Sequence, residues 1–268
     1  LRELVTSVVS WQSAASLGEA ERALFKAVLD SCDGAVATKE TIFHPQGGGQ
    51  PSDRGTITAE ADASGPSLDV KLVRKLPSGV ILHVGSVVRP TVAETATDIP
   101  ATPAFKEAQN VVLRVDDDLR NYHSRLHTAG HLIGLAVHQL AAAIGEVSDA
   151  KANHAPGSSY VEFVGLIGGE HKPAIQEAVD KMVAADRAVS VRWWDAEQVR
   201  ERCTAVPDAV AFPPGEDLVR VVEVEGCGAY PCGGTHLPTT AAIGKVVIRK
   251  ISRQKGISKI SYEVVPSK

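Results

Sequence analysis

The sequence predicts an α+β fold in two parts: a β-rich region over residues 1–105, built as a small barrel or sandwich, and a mixed helix–strand domain over residues 106–268. Three observations predict it. Between Ala35 and Pro103 short β-prone runs alternate with Gly, Pro, Ser and Asp turn signals. From His123 onward apolar residues recur at helical spacing, at Leu126, Ile133, Val137, Leu140 and Ile144. Hydrophobic residues make up 44% of the 268 positions, enough to bury one large core or two modest ones.

Taken in chain order, Glu19 to Leu29 has the pattern of a short amphipathic helix. The runs "AVATKETIF", "RGTITAE", "LDVKLV" and "GVILHVGSVV" read as strands. Thr91 to Pro103 is polar and carries prolines, the pattern of a linker or an exposed loop. A long helix is expected over His123 to Gly145, with Gly145 as its stop. "YVEFVGL" reads as a strand, and "KPAIQEAVDKMVAADRA" as a helix with Pro173 in its first turn. "VSVRWWD" is expected as a strand, "AEQVRERC" as a short helix and "LVRVVEVEG" as a strand leading into a cysteine loop. The closing stretch "GKVVIRKISRQKGISKISYEVV" reads as a β-hairpin, and no internal repeat is visible.

Composition excludes several classes. The net charge of −4 gives no global basic field. The four cysteines, Cys32, Cys203, Cys227 and Cys232, are too sparse for a disulfide scaffold, so a reduced, cytoplasmic setting is expected. No apolar run approaches the roughly 20 residues of a membrane span. The N-terminal "LRELVTSVVSWQ" lacks a signal-peptide pattern, and a lost segment upstream of Leu1 stays open.

Two segments carry metal-ligand chemistry. His127 and His131 are spaced i, i+4, which puts both imidazoles on one helix face. In "YPCGGTHLP", Cys232 and His236 flank two glycines that let the loop deliver both side chains to one point. Three imidazole nitrogens and one thiolate suit a tetrahedral zinc ion. The bland alternatives are a partly solvated helix face for the histidine pair and a small buried thiol for Cys232. Cys203 and Cys227 have no matching partners. Thr128 stands where a zincin needs its glutamate, so metalloprotease chemistry is excluded.

"FHPQGGGQPSDRG", Phe43 to Gly55, is the second unusual stretch. The backbone amides of Gly47, Gly48 and Gly49 can cradle an anion or oxyanion, and Gln50 adds a side-chain amide. A tight inter-strand loop explains the glycines equally well. No Gly-Lys-Ser/Thr follows, so it is not a nucleotide P-loop.

These two stretches, together with "RNYHSRLHTAGHL" and "PPGEDLVRVVEVEG", occur in the order seen in the alanyl-tRNA editing proteins (the AlaX type), relatives of the editing domain of alanyl-tRNA synthetase. The chain resembles that family from about Phe25 to Val264. Paired HxxxH and CxxxH motifs also occur in threonyl-tRNA synthetase editing domains; "CGGTH" and "GGGQPSDRG" favour the alanyl side. The resemblance implies a small N-terminal β-barrel followed by an α/β editing domain, and zinc bound by His127, His131, Cys232 and His236. It implies hydrolysis of the ester that joins a wrong amino acid, mainly serine and sometimes glycine, to tRNA for alanine. It places Gly47, Gly48, Gly49 and Gln50 along the catalytic site; Thr235 is a further catalytic candidate from its place in the cysteine loop. The chain departs from the family at His44, where tyrosine is common, and at "RQKGISKI", which lacks a second Gly-Lys pair.

Four protein ligands would close a zinc site, so either one is displaced or the ion mainly positions substrate while water is held elsewhere. A site that hydrogen-bonds the seryl hydroxyl disfavours alanine, and Gln50, Thr128 and Thr235 are the candidates for that contact. Gln50→Ala is then expected to narrow the gap between seryl and alanyl esters. For tRNA phosphates, Gly226 to Tyr262 contains no Asp or Glu but holds Lys245, Arg249, Lys250, Arg253, Lys255 and Lys259; Arg114 and Arg120 are further candidates. Two other functions fit the same residues: a zinc enzyme acting on a small-molecule ester or amide, and a non-enzymatic zinc-stabilised RNA-binding module. Monomer and dimer both stay open, and no membrane partner is expected.

Overall fold

A computed structural model describes residues 2–60, 65–89, 104–206 and 217–265. The expected linker, Thr91 to Pro103, lies outside the described residues. The chain divides into two compact units: Leu1–Gly47 with Pro51–Arg120, and Gly48–Gln50 with Asn121–Lys268.

The first unit holds β1 (Glu3–Ser13), helix α1 (Glu19–Phe25), β2 (Gly34–Thr38), β3 (Gly55–Ala59), β4 (Ser67–Lys75), β5 (Ile81–Val88) and β6 (Asn110–Val115). Its six strands close a barrel in the order β1-β2-β5-β4-β3-β6, so the barrel, not the sandwich, is formed. Val36, Ile57, Leu68, Val70 and Leu113 fill the interior. The division falls at Arg120 rather than after residue 105 because β6 pairs with both β1 and β3 and completes the barrel.

Residues Pro51 to Gly55 fasten this unit. Ser52 Oγ accepts from the Val73 amide at 3.1 Å. The buried Asp53 carboxylate accepts from the His44 amide and from Arg120, whose guanidinium also donates to the Ile42 carbonyl at 2.7 Å. Gly55 lies where a Cβ would run into the Arg114 carbonyl.

The chain continues through α2 (Asp117–Gln139) and α3 (Ala141–Ile144). The Asp116 carboxylate caps the start of α2 by accepting from the Leu119 amide at 2.9 Å, two turns before the expected helix start. Gly145, at φ 94°, stops α3. The second unit then adds β7 (Ser148–Asn153), β8 (Tyr160–Val164), α4 (Lys172–Ala184), β9 (Val189–Trp194), α5 (Ala196–Arg202), β10 (Val219–Val224), β11 (Gly228–Pro231), β12 (Lys245–Gln254) and β13 (Ile257–Val265). It builds a four-stranded sheet, β12-β13-β8-β7, and a three-stranded sheet, β11-β10-β9.

Helix α2 is buried at nearly every position from His123 to Val137. Its Leu126, Leu132, Ile133 and Ala136 share one core with Phe163 of β8, Ile260 of β13, Ile175 of α4 and Val224 of β10. A helix so enclosed holds its polar side chains in fixed positions, and this is what positions the site.

The expected terminal hairpin is β12–β13, closed by Lys255 and Gly256 at φ 51° and 77°, the left-handed pair that a two-residue turn requires. A bulge between Ile248 and Lys250 breaks the alternation, so Arg249 and Lys250 both face outward.

Candidate metal centre

The second unit brings His127, His131, Cys232 and His236 together, with one donor atom from each within 4.8 Å of the others. The two helical residues sit one turn apart in the enclosed stretch of α2. The other two come from the loop after β11, where Gly234 packs so tightly that a Cβ would run into the His127 ring. Cys232 Sγ lies 3.4 Å from His127 Nε2 and 3.4 Å from His236 Nε2. Those separations match the roughly 3.3–3.8 Å edges of a tetrahedron drawn with zinc–nitrogen and zinc–sulfur bond lengths. His131 Nδ1 is buried with no hydrogen-bond partner among the described residues. A cation-sized set of donors with an orphaned ring nitrogen fits a metal ion.

Each of two ligand rings is oriented through its other nitrogen. His127 Nδ1–H donates to Gln50 Oε1 at 2.7 Å. His236 Nδ1–H donates to Thr128 Oγ1 at 3.2 Å, while that hydroxyl donates to the Ser124 carbonyl at 2.7 Å. Both rings therefore turn Nε2 toward the thiol. Burial holds the His131 imidazole down at about 3, with His154 and Arg220 adding to the shift, so it stays neutral with one ring-nitrogen lone pair available. Burial pushes the Cys232 thiol up, opposed by the Gly234 amide and Arg220. A dication is what would convert that thiol to a thiolate ligand.

The three residues expected to read a substrate hydroxyl have other duties here. Gln50 is fully buried: Oε1 accepts from His127 and from the Thr235 amide at 2.9 Å, and Nε2 donates to Thr235 Oγ1 at 2.8 Å. Thr235 Oγ1 also pairs with Ser124 Oγ at 2.8 Å. Thr128 is fully buried and bonded on both sides. All three are hydrogen-bonded within the cluster's surroundings, Gln50 to His127 and Thr235, and Thr128 to His236.

A cavity of ≈ 490 Å³ opens on the cluster, lined by Gly48, Gly49, His131, His154, Tyr160 and Cys232 among others. Gly48 and Gly49 have φ 54° and 78°. A Cβ at Gly49 would stand 2.5 Å from the Ala152 carbonyl, so only glycine lets this loop lie against β7.

Sequence reasoning missed His154. Its ring stacks on His127 with centroids 4.2 Å apart, and its amide donates to the Gly49 carbonyl at 2.8 Å. Its Nδ1–H donates to the Tyr262 hydroxyl at 2.6 Å, which in turn donates to the Leu126 carbonyl at 2.9 Å. Burial holds this imidazole at about 4, in its neutral form. A lone histidine in "KANHAPGSSY" carries no spacing signal that ties it to the four clustered donors. Asp149 and Lys151 of β7 also line the cavity.

Of the residues expected to meet phosphates, Arg249, Lys250, Arg253, Lys255 and Lys259 lie on the β12–β13 hairpin, and Arg114 and Arg120 belong to the first unit. Arg114 pairs with Glu3 at 2.7 Å on the barrel, and Arg120 is turned inward onto Asp53, with 11% of its side chain exposed. Arg249 pairs with Glu263 at 2.7 Å on the hairpin. Lys250, Arg253 and Lys255 are exposed, and Lys259 Nζ lies 3.5 Å from the Tyr160 ring centroid.

Comparison with known proteins adds an independent line. The family described as "Threonyl and Alanyl tRNA synthetase second additional domain" matches residues 219–261, which contain Cys232, His236 and most of the β12–β13 hairpin. The alanine–tRNA ligase of Methanothermobacter thermautotrophicus is 30% identical over 241 residues, covering 88% of this chain and 24% of the ligase. Those of Methanosphaera stadtmanae and Pyrococcus abyssi are 26% and 28% identical over 244 and 229 residues. The resemblance to the alanyl-tRNA editing proteins holds. This chain spans about a quarter of the length of these curated relatives, covering 23% to 25% of each. Within the editing resemblance, "CGGTH" is the loop that carries two of the clustered donors, and "GGGQ" is the loop that orients His127 and lines the cavity. No helix among the described residues is long and apolar enough to cross a membrane.

Proposed function

We propose that this chain is a trans-editing hydrolase that cleaves the ester between a wrong amino acid, serine foremost, and tRNA for alanine, with zinc held by His127, His131, Cys232 and His236. The observation that carries the reading is the convergence of those four donors beside a cavity bordered by the Gly48–Gly49 turn. A cytoplasmic site of action belongs to the same proposal, in keeping with the four free thiols.

When bound, zinc supplies Lewis acidity to a carbonyl or lowers the pKa of a water to about 7. The chain's own groups do the rest. Gly48 and Gly49 line the cavity, and their amides are the donors this reading assigns to an oxyanion developing on the ester carbonyl. Neutral His154, with Nδ1–H committed to Tyr262, keeps Nε2 as an acceptor for a water or a seryl hydroxyl. Asp149, whose Oδ2 is paired with His138, puts a carboxylate at the cavity wall, the complement of a substrate α-ammonium. A seryl hydroxyl that pairs with a buried acceptor leaves that acceptor unpaired when the substrate is alanyl, which disfavours the correct product of charging.

The test is deacylation of seryl- and alanyl-tRNA by the wild type and by a Cys232→Ala, His236→Ala double variant. Wild-type turnover of the seryl ester in preference to the alanyl ester, lost in the variant, is the expected result. Wild-type protein that binds tRNA but turns over neither ester overturns the hydrolase reading and favours a zinc-stabilised RNA-binding module.

A further inference from the structure

The three-stranded sheet carries one cross-strand row that the metal cluster does not account for. Arg220 of β10 pairs directly with Trp193 of the edge strand β9. On its other side, the pairing of Val221 with Pro231 and the Cys232 amide bonded to the Arg220 carbonyl at 3.1 Å set Cys232 opposite Arg220. Residues directly opposite in antiparallel pairs project to the same face. Cys232, Arg220 and Trp193 therefore stand in a line on one face of the sheet: a metal-directed thiol, a guanidinium and an indole. The next row confirms the facing, since Tyr230, two residues before Cys232, sets its ring 5.1 Å from the His131 ring.

The far end of the row is open. Trp193 is 57% exposed, and Val191, its neighbour on the same face of β9, is 46% exposed. Among the described residues no aromatic ring or cation packs on the Trp193 indole, whereas its neighbour Trp194 is buried under Arg202. An indole left bare is a stacking surface, and every nucleobase has a complementary π-face. Two strand spacings separate the outer members of the row, about 10 Å. That span suits an aminoacylated ribose bridging a hydrolytic centre and a stacked base. Arg220 lies between them, its guanidinium anchored on the Cys232 carbonyl, and adds positive charge where the sugar-phosphate passes.

We propose that Trp193 is the stacking platform for the 3′-terminal adenine of the tRNA, which fixes the distance of the aminoacyl ester from the metal centre. This deepens the proposed function and rests on it for the identity of the nucleic acid.

The test uses the full chain and an unacylated acceptor-stem minihelix ending in CCA, alongside the same minihelix with an abasic 3′-terminal nucleotide. Binding is measured for the wild type, Trp193→Ala and Trp193→Phe, with bound zinc and melting temperature recorded for each. Trp193→Ala is expected to weaken binding of the intact end roughly 5- to 150-fold, the range of one base–aromatic stack. Binding of the abasic end should change by less than about twofold, and Trp193→Phe should retain part of the affinity. Equal losses for intact and abasic ends, or no loss for either, overturn the proposal. Because the readout is binding of an unacylated end, base-dependent loss at Trp193 sustains the platform even if no ester is hydrolysed. Ester hydrolysis with no base dependence sustains the hydrolase and removes the platform.

Discussion

Gln50 shows how a single side chain changes meaning once its partners are visible. Its position beside three glycines suggests a substrate contact, but its oxygen is shared by His127 Nδ1–H and the Thr235 amide, and its nitrogen is used by Thr235. Removing it leaves two buried donors unsatisfied, at about 1–3 kcal/mol for each such group. It also frees the His127 ring to rotate away from Cys232. Gln50→Ala is expected to weaken zinc binding about 10- to 100-fold, the usual cost of losing a partner that orients a ligand. Gln50→Glu, which keeps an acceptor for both donors, should recover part of that affinity in competition with a chromophoric chelator. The ratio of seryl to alanyl hydrolysis should stay as in the wild type; a narrowed ratio would return Gln50 to the substrate-reading role expected from sequence. The four clustered donors were legible because two short motifs state their own spacing. His154 was not, because its meaning comes from a stack on His127 and a bond to Tyr262, both more than twenty residues distant in sequence.

Helix α2 shows the same contrast at the level of an element. Its apolar spacing marks it as a helix, yet its enclosure makes two glycines essential in a place where helix propensity disfavours them. A Cβ at Gly130 would meet the His154 ring, with Nδ1 at 2.7 Å, and the Tyr262 hydroxyl at 2.8 Å. A Cβ at Gly134 would meet the Tyr230 hydroxyl at 2.6 Å. Alanine in a helix interior gains about 0.8–1.0 kcal/mol over glycine. Overpacking a closed core costs typically 1–3 kcal/mol, and the displaced groups here are buried rings bonded to one another. The steric term wins, so Gly130→Ala should lower stability by about 1–2 kcal/mol in urea unfolding; a gain in stability would show that His154 is free to yield. Most elements were legible from turn signals and period. Strand β1 was not, because Val5 and Val9 point outward at 48% and 50% exposure and blur the alternation set by the buried Thr6 and Val8. Strand β6 was missed although "NVVLRV" is as long as strands that were read, and only its pairing with β1 and β3 makes it the strand that closes the barrel.

Charge is a property of the whole chain, and here the total misleads. A net charge of −4 repels a polyanion at long range, so RNA binding has to be carried by a local field. The span from Gly226 to Tyr262 has no acidic residue, and β12–β13 folds it into one hairpin. The bulge turns Arg249 and Lys250 outward together; register then sets Lys250 opposite Ser261 and Lys259 opposite Ser252, on the face away from the buried Ile260 and Tyr262. Not all of this charge is equal. Arg249 is paired with Glu263, and Lys259 lies opposite Glu162 and over Tyr160. Lys250, Arg253 and Lys255 are the exposed cations on which a phosphate contact should depend most, and the two lysines are the first pair to remove. Each phosphate neutralised contributes about one unit to the slope of log affinity against log salt concentration. Lys250→Gln with Lys255→Gln should therefore reduce the salt slope for tRNA binding by about two and weaken binding similarly for all tRNA sequences. Trp193→Ala should leave that slope unchanged, because stacking releases no counterions. Titrations of the three proteins across a salt series separate the two contributions, and an unchanged slope in the lysine variant would move the phosphate contacts to Arg253 or off the hairpin, with Lys151 beside the cavity the next cation to examine.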